Sequence, residues 1–350
     1  MAEGWRSLWQ RLQERFEGFY TRYGRVFWTL HSVWALLTGV LVLVLAHNRY
    51  GYIRWVVLFL ALTWVSTLFF SRFSQRFAVS SHPTLRLAQG FVSYLTRVMY
   101  QETLFFLLPF YFYSTTFPSW NALYVLVLAG LAVFSCMDIP FDRVFRSSRF
   151  FAMGYFVLVT FSALNFFFPL LAKVRTHQGL YLAAGLSFLA ALPLAVRLSD
   201  FRDWRKAGAI LLVLLLTMGL VRLARPLIPP VPLRLAKLRF TTQLDPRTLR
   251  SGEEFEREVP AEKLSGGKLY AVATVFSPVP LPTSLVIRWQ DGSRTLRSSR
   301  AVEVIAHARG FRIWDVVNVQ RVKLGPGRYR VEVWTAEGQL VGRVPLRVGP

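Results

Sequence analysis

Residues 207–233 read AGAILLVLLLTMGLVRLARPLIPPVPL. A bilayer core about 30 Å thick asks for roughly 20 largely apolar residues in a helix, and 207–228 supplies them. Pro226, Pro229, Pro230 and Pro232 then form a stiff exit. Upstream, six further stretches have the same character: 26–46, 53–70, 103–117, 120–137, 150–172 and 179–196. Downstream, the chain changes to short alternating segments. The pattern predicts a multi-pass α-helical membrane protein with about seven transmembrane helices, followed by an all-β, immunoglobulin-like sandwich. Three domains are expected: an amphipathic interfacial helix (1–25), a transmembrane domain (26–230) and a β domain (231–350).

The interfacial helix rests on Trp5, Leu8, Trp9, Leu12, Phe16, Phe19 and Tyr23, which recur at helical spacing opposite Arg6, Arg11, Glu14, Arg15 and Glu17. The run 26–46 is too long for a signal-peptide core and no small-residue cleavage site follows it, so an uncleaved anchor is expected. The 103–117 span is short, and its helix has room to begin near Thr84. Pro109, Pro169 and Pro193 fall inside three spans, where each frees a carbonyl that neighbouring helices must accommodate. Ala183, Ser187 and Ala191 make a small-residue stripe of the kind that packs helices closely.

The composition fits a membrane protein: 53% of residues are hydrophobic, 15% aromatic and 17% charged, against about 25% charged in a soluble domain. The net charge of +23 is spread among apolar helices rather than gathered in a basic arm. That excludes nucleic acid as the expected partner and favours the bilayer with its anionic headgroups. Loops that face one side carry sixteen Arg and Lys against four on the other. The positive-inside rule therefore places the N-terminus in the cytoplasm and, after an odd number of spans, the β domain outside, which is the periplasm if the cell is Gram-negative. Cys136 is the single cysteine, so no intrachain disulfide can brace the tail.

In the tail, strands are expected at 233–241, 268–276, 284–290, 301–306, 311–316, 319–324, 328–334 and 340–348, separated by Asp291-Gly292, Gly325-Pro326-Gly327 and Glu337-Gly338 turns. Tyr329, Val331 and Val333 alternate with Arg328, Arg330 and Glu332, giving one core face and one wet face. The tail holds 20 basic and 11 acidic residues. Such an excess near an outer leaflet admits lipid, glycan or polyanion contact, and equally a solvated face.

QETLFFLLPFYFYSTT (101–116), MDIPFDR (137–143) and ALNFFFP (163–169), with KLYA (268–271), IRW (287–289), GFRIW (310–314) and GPGRYRVEV (325–333), resemble a bacterial family of polytopic membrane proteins known only as a domain of unknown function. The resemblance covers most of the chain from about residue 30. It implies a bacterial envelope protein, hence a multi-pass protein of the inner membrane with its β domain in the periplasm, and transfers no activity.

Two groups of residues are the candidates for chemistry. Arg97, Glu102, Asp138, Asp142 and Arg143 stand where spans meet the cytoplasmic interface and could form a proton or cation relay or a structural ion-pair network. His307, Arg309, Arg312 and Trp314 could form a recognition patch on the β domain, or an ordinary loop with one core Trp. His31 and Asn165, inside spans, suit interhelical hydrogen bonds. The sequence holds no His-Glu-x-x-His, Gly-x-Ser-x-Gly, Walker loop or cysteine pair. No catalytic residue, metal site or cofactor is expected. The leading expectation is an envelope anchor or scaffold whose β domain meets another protein or a glycan, with a transporter or channel, or an enzyme acting on a lipid-linked substrate, as alternatives.

Overall fold

The computed structural model describes residues 30, 33, 34, 37 and 83–349 apart from 118, 173, 197, 278 and 279, without the side chains of 83–96, 138, 139, 142, 146, 149, 198, 308 and 309. The expected interfacial helix, the second span, His31, His47 and His82 lie outside the described residues. Of the first span, Leu30, Val33, Trp34 and Leu37 are helical and exposed.

Six helices follow: α1 (Pro83–Tyr113), α2 (Asn121–Cys136), α3 (Asp138–Ser147), α4 (Arg149–Leu171), α5 (Thr176–Ala195) and α6 (Trp204–Ala224). Three of the described helical stretches are long and apolar enough to cross a membrane: Phe150–Leu171, Thr176–Ala195 and Trp204–Leu227. The expected 103–117 span is the last third of a 31-residue helix, so 84–101 is continuous with it. It ends at Tyr113, where Thr115 Oγ1 turns back to donate to the Tyr111 carbonyl at 2.7 Å. Ser148 caps α4 by accepting from the Phe151 amide at 3.2 Å, and Asp203 caps α6 by accepting from the Arg205 amide at 3.0 Å. The segment between α2 and α4, expected as a loop, is the helix α3. Its Phe141 and Phe145 turn inward onto Tyr155.

Leu104, Leu107, Tyr111, Leu128, Ala132, Phe156 and Phe166 close a core among α1, α2 and α4. Ala183, Ser187 and Ala191 on α5 are buried, as their spacing predicts. By contrast, α6 buries none of its residues and exposes Leu211, Leu212, Leu215, Leu216, Leu220 and Leu223.

The tail forms two sheets over one core. The first runs β2 (Glu254–Phe255), β1 (Arg234–Thr241), β4 (Lys268–Ser277), β8 (His307–Asn318); the second runs β3 (Glu258–Val259), β10 (Leu340–Val348), β9 (Gly327–Thr335), β5 (Ser284–Asp291), β6 (Arg294–Ser298), with β7 (Val302–Glu303) also against β5. Phe240, Ala273, Val275, Ile313 and Val317 from the first meet Leu285, Ile287, Trp289, Val331, Val333 and Leu346 from the second. Asp315, on the inward face of β8, ties the sheets together. It accepts from Trp289 Nε1 at 3.0 Å and from Arg297 Nε at 3.0 Å and Nη2 at 3.1 Å. Tyr329 donates to the Gly325 carbonyl at 3.1 Å, closing the corner into β9.

Several expectations are corrected here. Residues 319–324 are a turn rather than a strand, because Asn318 Oδ1 accepts from the amides of Gln320 and Arg321, both at 3.1 Å, and Lys323 takes φ 54°. The expected 301–306 strand shrinks to β7, and β6 was not foreseen. Trp289 is the core tryptophan, whereas Trp314 and Trp334 are half-exposed on outer faces. Nor is the outer face wet throughout: Glu332 is 1% exposed, since Arg343 Nε donates to its Oε1 at 2.5 Å and Trp334 Nε1 to its Oε2 at 2.7 Å.

Candidate functional site at the helix and sheet junction

The proline-rich exit is not a free tether. Residues 228–233 are buried; Val231 packs into the helical core and Leu233 into the sheet core. Around this pivot the turn between β9 and β10 reaches down to the helix ends. Gly338, at φ +98°, lets the turn reverse, and the Thr335 amide donates to the Gln339 carbonyl at 2.8 Å. Arg225, just after α6, donates to the Glu337 carbonyl and, at 2.5 Å, to the Tyr181 hydroxyl of α5. The Glu337 carboxylate accepts from Thr283 Oγ1 at 3.1 Å and lies 3.4 Å from His177 Nδ1. Thr283 is in turn 3.2 Å from Thr176, the first residue of α5. Gln339 Nε2 donates to the Ile228 carbonyl at 3.2 Å, and Asn121 Nδ2 of α2 to the Leu340 carbonyl at 3.4 Å. This latch fixes the starts of α2 and α5 and the end of α6 against one turn of the sheets.

Beside the latch, between the end of α1 and the seam where β1 meets β10, lies a groove of about 340 Å³. Its helical wall is Tyr113, Thr115 and Thr116; its other walls come from β1, from 256–257 and from β10. The seam is open because both strands lose register there, β1 between Leu235 and Lys237 and β10 between Leu340 and Gly342. Gly342 is required at that point, since a Cβ would overlap the Leu235 side chain. Four cationic side chains, Lys237, Arg239, Arg257 and Arg343, and one carboxylate, Glu256, line the groove. Arg239 pairs with Glu256 at 2.5 Å and Arg343 with Glu332. Lys237 and Arg257 have no ion pair among the described residues. The arrangement can bind an anion; it presents no nucleophile with a base beside it.

A family model, described as a family of unknown function (DUF5924), matches residues 7–271. The chain belongs to this family. No curated protein matches it. The matched residues take in the described helices and the sheets as far as β4, and so include Lys237, Arg239, Glu256 and Arg257 of the groove but not Arg343 or the latch turn.

The residues singled out in the sequence fall elsewhere. Arg97 is buried and Glu102 half-buried, both on α1. Five positions apart, they leave the helix about 140° from one another. Arg143 is exposed on α3, and the side chains of Asp138 and Asp142 are outside the described set. Asn165 does make the interhelical bond expected of it: its Nδ2 donates at 3.0 Å to Tyr111, whose hydroxyl donates at 2.8 Å to the Ser162 carbonyl. In the β domain, Arg312 and Trp314 share the outer face of β8 while His307 stands at its start, opposite Ser277. Arg312 donates to the Leu249 carbonyl at 3.2 Å and Trp314 packs against Tyr270. The side chain of Arg309 is not described. Sequence reasoning missed the groove, although the run of Lys237, Arg239 and Arg257 was visible; the signal absent from it was that 234–239, 256–257 and 341–344 converge.

Proposed function

We propose that this chain is a seven-span protein of the bacterial cytoplasmic membrane that anchors an immunoglobulin-like sandwich and holds it, in fixed orientation, against the periplasmic surface as a scaffold for another envelope protein or a glycan. One observation carries the reading. The helix ends that touch the sheets are the end of α1, the starts of α2 and α5 and the end of α6. All four are among the ends that the distribution of Arg and Lys assigns to the outside, a set that also holds the end of α4. The uncovered leucines of α6 suit lipid, in which a helix has no need of a polar face.

The immunoglobulin-like assignment draws on the strand order, in which β1, β4 and β8 form one sheet and β10, β9, β5 and β6 the other. A buried tryptophan on the third long strand, Trp289, and the tyrosine corner at Tyr329 are further marks of that architecture. The latch supports a scaffold in preference to a tethered module, because a module on a loose linker would not need its turn bonded to three helices.

Two measurements test the proposal. Fusions after Gly349 should give active alkaline phosphatase and a dark cytoplasm-dependent fluorescent protein; the reverse pattern overturns the topology. A Thr176→Cys, Thr283→Cys double variant should then cross-link in intact membranes under mild oxidation. Two accessible thiols that never cross-link would sink the docked scaffold while leaving the topology standing.

A further inference from the structure

We infer that the groove between the end of α1 and the β1–β10 seam is a binding site for the headgroup of an anionic phospholipid; the inference rests on the membrane topology proposed above. The groove is cationic and half of its cations are uncommitted. Arg239 and Arg343 are each held by a carboxylate, whereas Lys237 and Arg257 face it without one among the described residues. A guanidinium can fork onto two phosphate oxygens and an ammonium adds a point charge, so this pair suits a phosphodiester. Thr115 and Thr116 line the same space; the Thr115 hydroxyl donates to the Tyr111 carbonyl and keeps its acceptor capacity for the glycerol of a headgroup. About 340 Å³ lies at the small end of ligand pockets, enough for a headgroup and too little for acyl chains.

The position of the groove argues for a lipid over a soluble anion. Phe112 and Tyr113, the last residues of α1, and Phe117 and Trp120, between α1 and α2, are all exposed, and Phe112 contacts both Tyr113 and Phe117. Exposed aromatic side chains at a span's end mark the headgroup level. Tyr113 belongs to this cluster and to the groove wall, so the groove opens where lipid phosphates lie. Arg234 stacks over Tyr113, with its guanidinium carbon 5.6 Å from the ring centre, and ties that wall to β1.

The test uses the full-length chain in an uncharged detergent, titrated separately with dihexanoyl-phosphatidylglycerol, dihexanoyl-phosphatidylcholine and glycerol phosphate, with binding read by native mass spectrometry. Phosphatidylglycerol should bind best, and Lys237→Gln with Arg257→Gln should weaken it by about thirtyfold, the scale of two cations at an anionic surface. Lys237→Glu alone, at an exposed position, should do the same should the double variant fail to fold. Arg294→Gln, at the start of β6, separated from β10 by β9 and β5 and outside the groove lining, should leave binding unchanged. Equal affinity for phosphatidylcholine, an unaffected groove variant or an equal loss in Arg294→Gln overturns the site. Glycerol phosphate binding as tightly as the lipid assigns the groove to a soluble phosphate ester and overturns the lipid reading. The reporter fusions read orientation independently, so failure here is separable from failure of the topology.

Discussion

The helical half and the sheet half bury polar groups in opposite ways. Arg97 apart, the buried polar groups among the helices are neutral: Asn165, Tyr111, Ser162 and Tyr124 bond one another across α1, α2 and α4, with the Tyr124 and Ser162 hydroxyls 2.7 Å apart. In the sheets the buried charged groups are carboxylates, Asp315 and Glu332, each answered by an arginine and an indole. The exteriors are reversed as well, with bare leucines on α6 and arginines along β9 and β10. A charge costs most where water cannot reach its partner, and an arginine with its head near solvent lowers that cost. Sheets standing in water can use such pairs as pegs. Where α1, α2 and α4 pack through apolar faces, neutral hydrogen bonds supply the polar contacts between them.

The sharpest way to break this comparison is Arg297→Ala. Asp315 is 6% exposed and Arg297 45%, so removing the arginine leaves the buried member alone with a single indole N–H. A loss of roughly 3 kcal/mol is expected in denaturation of the full chain followed by tryptophan fluorescence. Asp315→Asn should cost less, about 1 kcal/mol, because it removes the buried charge and leaves the arginine head in solvent. The opposite ranking would show that the carboxylate is hydrated and that the sheets are not pegged through it.

Tyr111→Phe probes the other half and should have a smaller effect. It deletes one hydroxyl that both donates and accepts, with no charge to strand. About 1 kcal/mol is expected from the same unfolding measurement. A loss matching that of Arg297→Ala would mean the helical network is as demanding as a buried ion pair, and the contrast between the halves would fail.

What the sequence disclosed follows the same division. The helices near 120–137, 150–172, 179–196 and 207–228 were legible because each is a continuous apolar run, and α2, α4, α5 and α6 lie within a few residues of those bounds. β10 was legible to the residue because its alternation is local. The strand β6, reading Arg-Thr-Leu-Arg-Ser, has no such alternation and exists only because β5 pairs with it through the Asp291-Gly292 turn. Glu332 looked like a wet-face residue because its burial comes from Arg343, eleven positions later on the neighbouring strand. The groove and the latch were invisible for the same reason: their parts are local as sequence and adjacent only as structure.

The smallest expected effect lies at the most exposed point of the comparison, a carboxylate that water screens. Asp245 opens the 245–250 turn and accepts from Thr248 Oγ1 at 2.7 Å and from the Arg247 amide at 2.9 Å. These bonds, the Thr248 hydroxyl first, hold its carboxyl below the usual range. A carboxyl depressed in the folded state stabilises above its unfolded value of about 3.9 and loses that contribution as pH falls through the lower folded value. Wild type should therefore melt slightly above Asp245→Asn near pH 6, and the gap should close by about pH 2. A gap that widened in acid would reverse the sign and show that the turn favours the protonated acid, against the hydrogen bonds it presents.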